Sequence, residues 1–400
     1  EMVYSDWSSD VCSSDLVFYA CLMGQLEVAS FVDDLADVMV GSEAVVPYIG
    51  LPPQGWFPTL ATTEDPREVA QAIIEAYART AAELKIFDVT LSAYDLSQTK
   101  EVLKAFDALT TKLLKAVEGN WPVFSRTMYF AEAYESEAMR FQHRMGSDAL
   151  CSIDLLDWLA RLRKELKDFP AEEMDRLAAA HKKLLIAHCA GSLRQLSTGL
   201  ALYAPFRMDM LRKPYLDTPV AKQTAWTALL ETLYEAQAAE LTAPKVLEVQ
   251  MADEAGKAIE AAQPLAGQRV HFAVEGKNIL WTMLILTRQR KDAPAGQEVL
   301  FRALVVDPSQ YLQRRKDAAA MVDALTPVYK DGRNELSREI EGMGFAISNG
   351  KEHREATVMN VDPNNMMLGE VPAFYKHPEQ GEFLCTLLVD IRWHTVVGVV

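Results

Sequence analysis

No stretch of this sequence approaches the ~20 consecutive apolar residues that a membrane-spanning helix needs. Basic charge is also scarce: 40 Lys and Arg stand against 56 Asp and Glu, for a formal net charge of −16. A chain of that sign is repelled by phosphate backbones, so no nucleic-acid partner is expected. The five cysteines, Cys12, Cys21, Cys151, Cys189 and Cys385, are few and far apart. They form no CxxC pair and no Cys/His metal spacing, so neither a disulfide framework nor a metal site is expected, and no cofactor motif replaces them. This pattern is neutral about compartment, because a large domain can be secreted without disulfides. No GxSxG elbow occurs ("GSEAV" is not one), and neither GxGxxG nor a P-loop is present. Internal repeats and low-complexity tracts are also missing.

What is there is an ordinary globular composition. Half of the 400 residues are hydrophobic and the mean hydropathy is −0.04. The length fits two or three domains.

The first residues stand apart. Ser5 to Asp15 is Ser/Asp-rich and follows neither a strand nor a helix period. It has no basic n-region, apolar core or cleavage site of a secretory signal. Reverse translation of Ser5 to Leu16 resembles a sequencing-library adapter that ends in TGC TCT TCC GAT CT. Residues 1–16 are therefore expected to be a disordered cloning or assembly artefact outside the fold. On this reading the natural chain has lost an upstream part.

Leu16 to Ala20 has the length and composition of a buried strand, and Cys21 follows at its C-terminal end. Leu26, Ala29, Val32 or Asp33, Leu35, Val38 and Met39 then give a helical stripe, with Glu27, Asp34 and Asp37 on its solvated side. Cys21 thus falls at a strand-to-helix junction, the edge of an α/β sheet where chemistry gathers. Residues 44–66 carry five prolines and two glycines, the mark of a long and often functional loop. A helix is predicted from Pro66, capped by Thr63 or Asp65.

Further strands are predicted over Ile86–Leu91 and in "STGLALYAPF". Helices are predicted over Ser97–Val117, most of 123–145, most of 153–195 and "TAWTALLETLYEAQAAE". Such alternation argues for an α/β layered domain to about residue 240. After Pro244 the texture turns β-rich in "KVLEVQMAD", "QRVHFAVEG", "NILWTMLILTRQ" and "EVLFRALVVDP". A helical interlude is expected at 309–327, with Arg314, Arg315 and Lys316 on a solvated face. Strand pattern returns at Gly381–Val400 with no stop signal, so this 244–400 domain is also expected to be clipped. Met359, Met366 and Met367 read as core or gap-filling residues.

The segment from Tyr19 to Trp56 resembles the active-site segment of the clostripain-type cysteine peptidases. The matches, in order, are Ala20-Cys21-Leu22-Met23, Glu27-Val28-Ala29, Ser42-Glu43 and Gly55-Trp56. "LSAYDLSQTKEVLKAFDAL", "SIDLLDWLARL" and "GLALYAPF" are similar to later family segments, so the resemblance spans roughly residues 17–234. It implies a caspase-like α/β fold over 17–240, incomplete at its N-terminus, and peptide or protein substrates. It also implies amide-bond hydrolysis with Cys21 as the nucleophile. Only the resemblance points to a secreted or cell-envelope location.

The physics agrees with that role, since a helix N-terminus and an imidazole lower a thiol pKa. The competing reading is a small buried apolar residue, the common fate of a free cysteine. The family's general base is a His-Gly upstream of the nucleophile, and all seven histidines here lie downstream of Cys21. His188 and Cys189 are adjacent and on a helix would point about 100° apart, so no base is assigned to them. The chain as written is expected to be inactive.

The family's substrate pocket places an acid two residues before the nucleophile, where this sequence has Tyr19. Tyr19, Ser42, Glu43 and Trp56 are the candidate substrate-binding residues, with an apolar or aromatic preference expected from the loop Ala44–Ile49. A reading from another class is a non-catalytic peptide-binding or scaffold protein that reuses the fold, with a groove near Tyr19 and Trp56.

Overall fold

A computed structural model describes residues 15–47, 50–134, 151–252, 257–258, 269–279, 283–289, 298–306, 331–339, 343–348, 353–358, 360–361, 368–377, 381–390 and 395–399. The chain divides into two compact units, Glu1–Leu241 and Thr242–Val400.

The first unit is built on a mixed sheet of four strands: β1 (Leu16–Val17), β2 (Val38–Gly41), β3 (Thr90–Asp95) and β5 (Leu185–Ala190), in that order. β1 runs parallel to β2, with Leu16 opposite Met39. The other neighbours are antiparallel, with Gly41 opposite Ser92 and Ser92 opposite His188. A two-stranded antiparallel ribbon, β4 (Ser152–Asp154) with β6 (Ala201–Tyr203), lies apart from this sheet.

Alternate side chains point to opposite faces of a strand, and this divides the core in two. Val38, Val40, Leu91 and Ala93 face α3 (Pro66–Glu83) through Ile73, Ile74 and Tyr77. Met39, Tyr94 and Leu96 join the larger core. That core is supplied by α1 (Leu26–Val32), α4 (Thr99–Phe130), α5 (Leu155–Glu165), α6 (Ala171–Leu184) and α8 (Trp226–Glu240). A one-turn α2 (Phe57–Leu60) and a short α7 (Pro219–Gln223) complete the set. The α/β layered class expected from the sequence is the one present.

Several elements differ from expectation for identifiable reasons. Leu16–Ala20 is not a buried strand: only two residues pair, and Val17 and Tyr19 are 43% and 65% exposed. Among the described residues β1 has one strand partner, β2. The helical stripe from Leu26 stops at Val32, and Val38 and Met39 belong to β2. Both residues suit either period, and antiparallel pairing with Asp95 and Tyr94 of β3 makes them strand. Glu27, expected in solvent, is buried against Tyr203 and Tyr215.

The strand expected at Ile86–Leu91 is displaced to Thr90–Asp95. The α4 helix begins at Thr99 and continues to Phe130 across a kink at Asn120, next to Pro122. Pro122 removes a donor and crowds the preceding turn, which explains the kink. Residues 185–190, expected to be helical, form β5. Asp65 is the cap of α3, accepting the Arg67 N–H, with Pro66 at the first helical position.

The second unit is β-rich, as expected. Its strands are β7 (Lys245–Ala252), β8 (Arg269–Gly276), β9 (Met283–Gln289), β10 (Glu298–Val306) and β11 (Gly332–Glu339), followed by β12 (Met343–Ser348), β13 (His353–Val358), β14 (Asn360–Val361), β15 (Leu368–His377), β16 (Gly381–Asp390) and β17 (Thr395–Val399). β8 is paired on both sides, by β7 and β11, and β15–β16 is a ten-residue antiparallel ladder. The interlude at 309–327 and Met359, Met366 and Met367 lie outside the described residues.

Candidate active site

Cys21 lies just past the end of β1. Phe18 still donates to the Val40 carbonyl at 2.9 Å, extending the β1–β2 ladder by one residue. The chain then turns sharply. Leu22 has φ +61°, a left-handed conformation that costs a side-chain-bearing residue roughly 1–2 kcal/mol. Such strain persists only where the surroundings over-determine it, and functional sites are where it collects. Here Leu22 is buried, and its N–H donates to the Ala44 carbonyl at 3.1 Å. Gly24 N–H follows, donating to the Ser42 carbonyl at 2.8 Å. Gly24 must be glycine, because a Cβ there would lie 2.8 Å from both the Glu43 nitrogen and the Tyr94 hydroxyl.

The Cys21 thiol is half-buried, and its Sγ accepts the Val46 N–H at 3.3 Å. The helix expected to help is α1, which starts four residues beyond Leu22 and has only seven residues. The amide of Val46, not that helix, is the donor that reaches the thiol.

The other expected site residues are separated by burial. Tyr19 is largely exposed and lies against Gly50, where a Cβ would fall on the Tyr19 ring. Gly50, at φ +58°, is the glycine that this contact and this conformation require. Trp56 is half-buried, stacks edge-on to Phe57 at 4.6 Å and packs against the α3-side core. Ser42 and Glu43 are fully buried. Ser42 Oγ donates to the Thr90 carbonyl at 2.7 Å. The Glu43 carboxylate accepts from the Ser92 hydroxyl and, at 3.0 Å, from the Tyr94 hydroxyl.

Ser92 also meets His188 Nδ1 at 2.8 Å. With the Ser92 proton on Glu43, Nδ1 is the donor in that contact. This order places serine between carboxylate and imidazole, so it is a buried anchor and not a nucleophilic triad. Gly199, at φ +92°, closes over it, with His188 and Ser92 atoms 3.1 Å from where a Cβ would be. His188 and Cys189 point to opposite faces of β5, so the conclusion that they are not a pair holds on a strand as it did on a helix. Burial pushes the Cys189 thiol up to about 12, with the Glu43 charge adding to the effect, so it is not a competing nucleophile.

Sequence reasoning missed Thr90, Ser92 and Tyr94, and it weighed His188 only as a partner of Cys189. The legible signal was three polar or hydroxyl residues at alternate positions in "TLSAYD", all on one strand face. Among the described residues no group of His, Cys, Asp and Glu side chains could hold a metal ion. No described helix is long and apolar enough to cross a membrane.

The fold is mixed α/β, with Cys21 beside a strained turn at a strand end and an amide on its sulfur. The chain belongs to the clostripain family of cysteine peptidases, whose family model matches residues 9–233. That match begins inside the stretch expected to be an artefact. No curated protein matches in sequence.

Among solved structures, a clostripain from Bacteroides thetaiotaomicron in complex with a peptide inhibitor is 12% identical, with TM-score 0.37, covering 53% of this chain and 87% of that one. An inactive zymogen C11 protease from Parabacteroides distasonis is 16% identical, with TM-score 0.40, covering 52% of this chain and 58% of that one. A secreted C11 cysteine protease from Bacteroides thetaiotaomicron is 13% identical, with TM-score 0.37, covering 52% of this chain and 55% of that one.

Proposed function

We propose that this chain carries the nucleophile of a clostripain-type endopeptidase, with Cys21 attacking the scissile carbonyl of a peptide or protein. The supporting observation is the Cys21 Sγ, held by the Val46 N–H immediately before the strained Leu22. Attack forms a thioester acyl-enzyme and releases the amine, and water then frees the acid. The thiol proton and the leaving amine both need an imidazole. None precedes Cys21, and among the described residues the hydrogen-bond partner of its Sγ is the Val46 N–H, not an imidazole. The 400 residues by themselves are therefore expected to hydrolyse no peptide. Secretion or cell-envelope attachment is proposed from the family resemblance alone.

Tyr19 and Trp56 are proposed to contact substrate. The burial of Ser42 and Glu43 favours a supporting role for those two. An apolar wall gains about 25 cal/mol per Å² against an apolar side chain and little against a cation, so a non-basic preference is proposed.

Long-read sequencing of the source DNA across the codons for Leu16 and Val17 tests the missing base. An upstream frame with a strand followed by His-Gly is the expected result. The protein expressed from that frame should then be labelled at Cys21 by an acyloxymethyl ketone probe. An unlabelled Cys21 in that longer chain would overturn the peptidase reading in favour of the peptide-binding one, for which the exposed Tyr19 ring is the supporting feature.

A further inference from the structure

We infer that the buried hydroxyls of Ser42 and Thr90 are positioning residues that set the Val46 amide on the Cys21 sulfur. The inference rests on the reading of Cys21 as nucleophile only for its functional meaning, since the geometry stands by itself.

The segment that carries Val46 leaves the core at Val45, which is exposed. Its last buried residue is Ala44. Ala44 N–H donates to Thr90 Oγ1 at 3.0 Å and to Ser42 Oγ at 3.2 Å. The two hydroxyls are 3.3 Å apart, and Ser42 Oγ reaches the Thr90 carbonyl at 2.7 Å. The Ser42 hydroxyl also lies 3.0 Å from the Ala44 carbonyl, so its proton is shared between the Thr90 and Ala44 carbonyls while both hydroxyl oxygens accept from the Ala44 N–H. On its other side the Ala44 carbonyl accepts the Leu22 N–H at 3.1 Å.

A ring therefore closes from Cys21 through Leu22 and Ala44 to Val46 and back to sulfur at 3.3 Å. Thr90 and Ser42 are 0% exposed and hold that ring to β3. Neither side chain touches the sulfur, so their effect passes through the backbone of residues 44–46. A thiol site needs its donor in place before the thiolate forms, and a backbone amide is placed only as well as the segment that carries it.

The test uses the full 400-residue chain and iodoacetamide, with alkylation at Cys21 and Cys385 followed separately by peptide mass spectrometry. A thiolate that loses a donor becomes scarcer but more nucleophilic. With a Brønsted slope of ~0.5, a tenfold loss of thiolate fraction appears as a roughly threefold slower reaction at about pH 6 and a faster one once the pH is above the thiol pKa of both proteins.

Thr90→Val keeps the shape and removes the acceptor, and is expected to show that crossing at Cys21 with Cys385 unchanged. Thr90→Ser keeps the hydroxyl and is expected to restore the wild-type profile. A simple loosening of the fold would speed alkylation both below and above the thiol pKa and would not be rescued by serine. A Thr90→Val profile without the crossing, or one that Thr90→Ser shares, overturns the inference. Should Thr90→Val fail to fold, Ser42→Ala removes the longer acceptor contact and carries the same expectation with a smaller crossing. A crossing at Cys21, together with no probe labelling of the longer chain, would leave the positioning role of Ser42 and Thr90 standing and remove only the nucleophile.

Discussion

Replacing Glu27 by glutamine should remove a pH dependence that a surface carboxylate would not have. Glu27 lies on α1 with its side chain fully inside the larger core. Oε1 accepts the Tyr203 N–H at 3.0 Å and the Tyr215 hydroxyl at 3.3 Å, while Oε2 has no partner among the described residues. Burial raises its carboxyl from 4.5 to about 7, against the smaller lowering effect of those hydrogen bonds. The folded state thus holds a proton that the unfolded state gives up. The stability this confers is complete below about pH 4.5 and is lost as pH rises through about 7.

At 1.36 kcal/mol per pKa unit the whole span is ~3 kcal/mol, of which ~2 kcal/mol falls between about pH 5 and pH 8. Glutamine keeps the acceptor for Tyr203 and Tyr215 and cannot ionise. Its amide donors add a cost that is constant with pH, so the slope, not the absolute value, is diagnostic. Asp154 is raised in the same direction, to about 7, by its own burial and then by Asp157. It is present in both proteins and drops out of the difference. Urea unfolding of wild type and Glu27→Gln at half-unit pH steps is the assay. The expected result is a difference in unfolding free energy that grows by ~2 kcal/mol towards pH 8 in favour of the variant. Parallel curves would show that Glu27 is solvated and that the burial argument fails.

Other perturbations test separate parts of the structure. Gly24→Ala drives a Cβ to 2.8 Å from the Glu43 backbone nitrogen, which cannot swing aside, so a loss of ~1–3 kcal/mol is expected in chemical denaturation. Trp226 is fully buried between Phe106 and Trp158 and donates its indole N–H to the Tyr203 carbonyl at 2.9 Å. Trp226→Ala should cost ~3–5 kcal/mol in the same measurement, with Trp226→Phe losing less. Tyr19→Asp, in the longer chain that the proposed upstream frame would encode, should move cleavage towards Arg and Lys peptides in a substrate-library assay. An unchanged profile would remove Tyr19 from the pocket.

The α3 helix was legible from local signals alone. Pro66 at the first helical position and the Asp65 cap are local chemistry, and both hold in the structure. The β-rich texture after Pro244 was legible too, because alternating apolar residues between turn residues need no distant partner to be recognised. By contrast, β5 was read as helix. "LLIAHCA" is a short apolar run that suits either period, and pairing with Thr90–Tyr94 across about a hundred intervening residues made it a strand. Glu27 was misjudged for the same reason, since nothing near it in sequence says that Tyr203 and Tyr215 will close over it.

For the site, sequence order alone marked Cys21 and the strand-to-helix junction where it falls, since a motif is a property of neighbouring residues. It also showed that no histidine precedes Cys21. The tertiary structure decided what surrounds the thiol. It turned Ser42 and Glu43 inward and Tyr19 outward. It recruited Thr90 and Ser92 from a strand about fifty residues away, and it put the Val46 amide on the sulfur. Hydrogen bonds of that kind depend on positions to within a few tenths of an ångström, fixed by the packing of the whole sheet and not by any local run of residues.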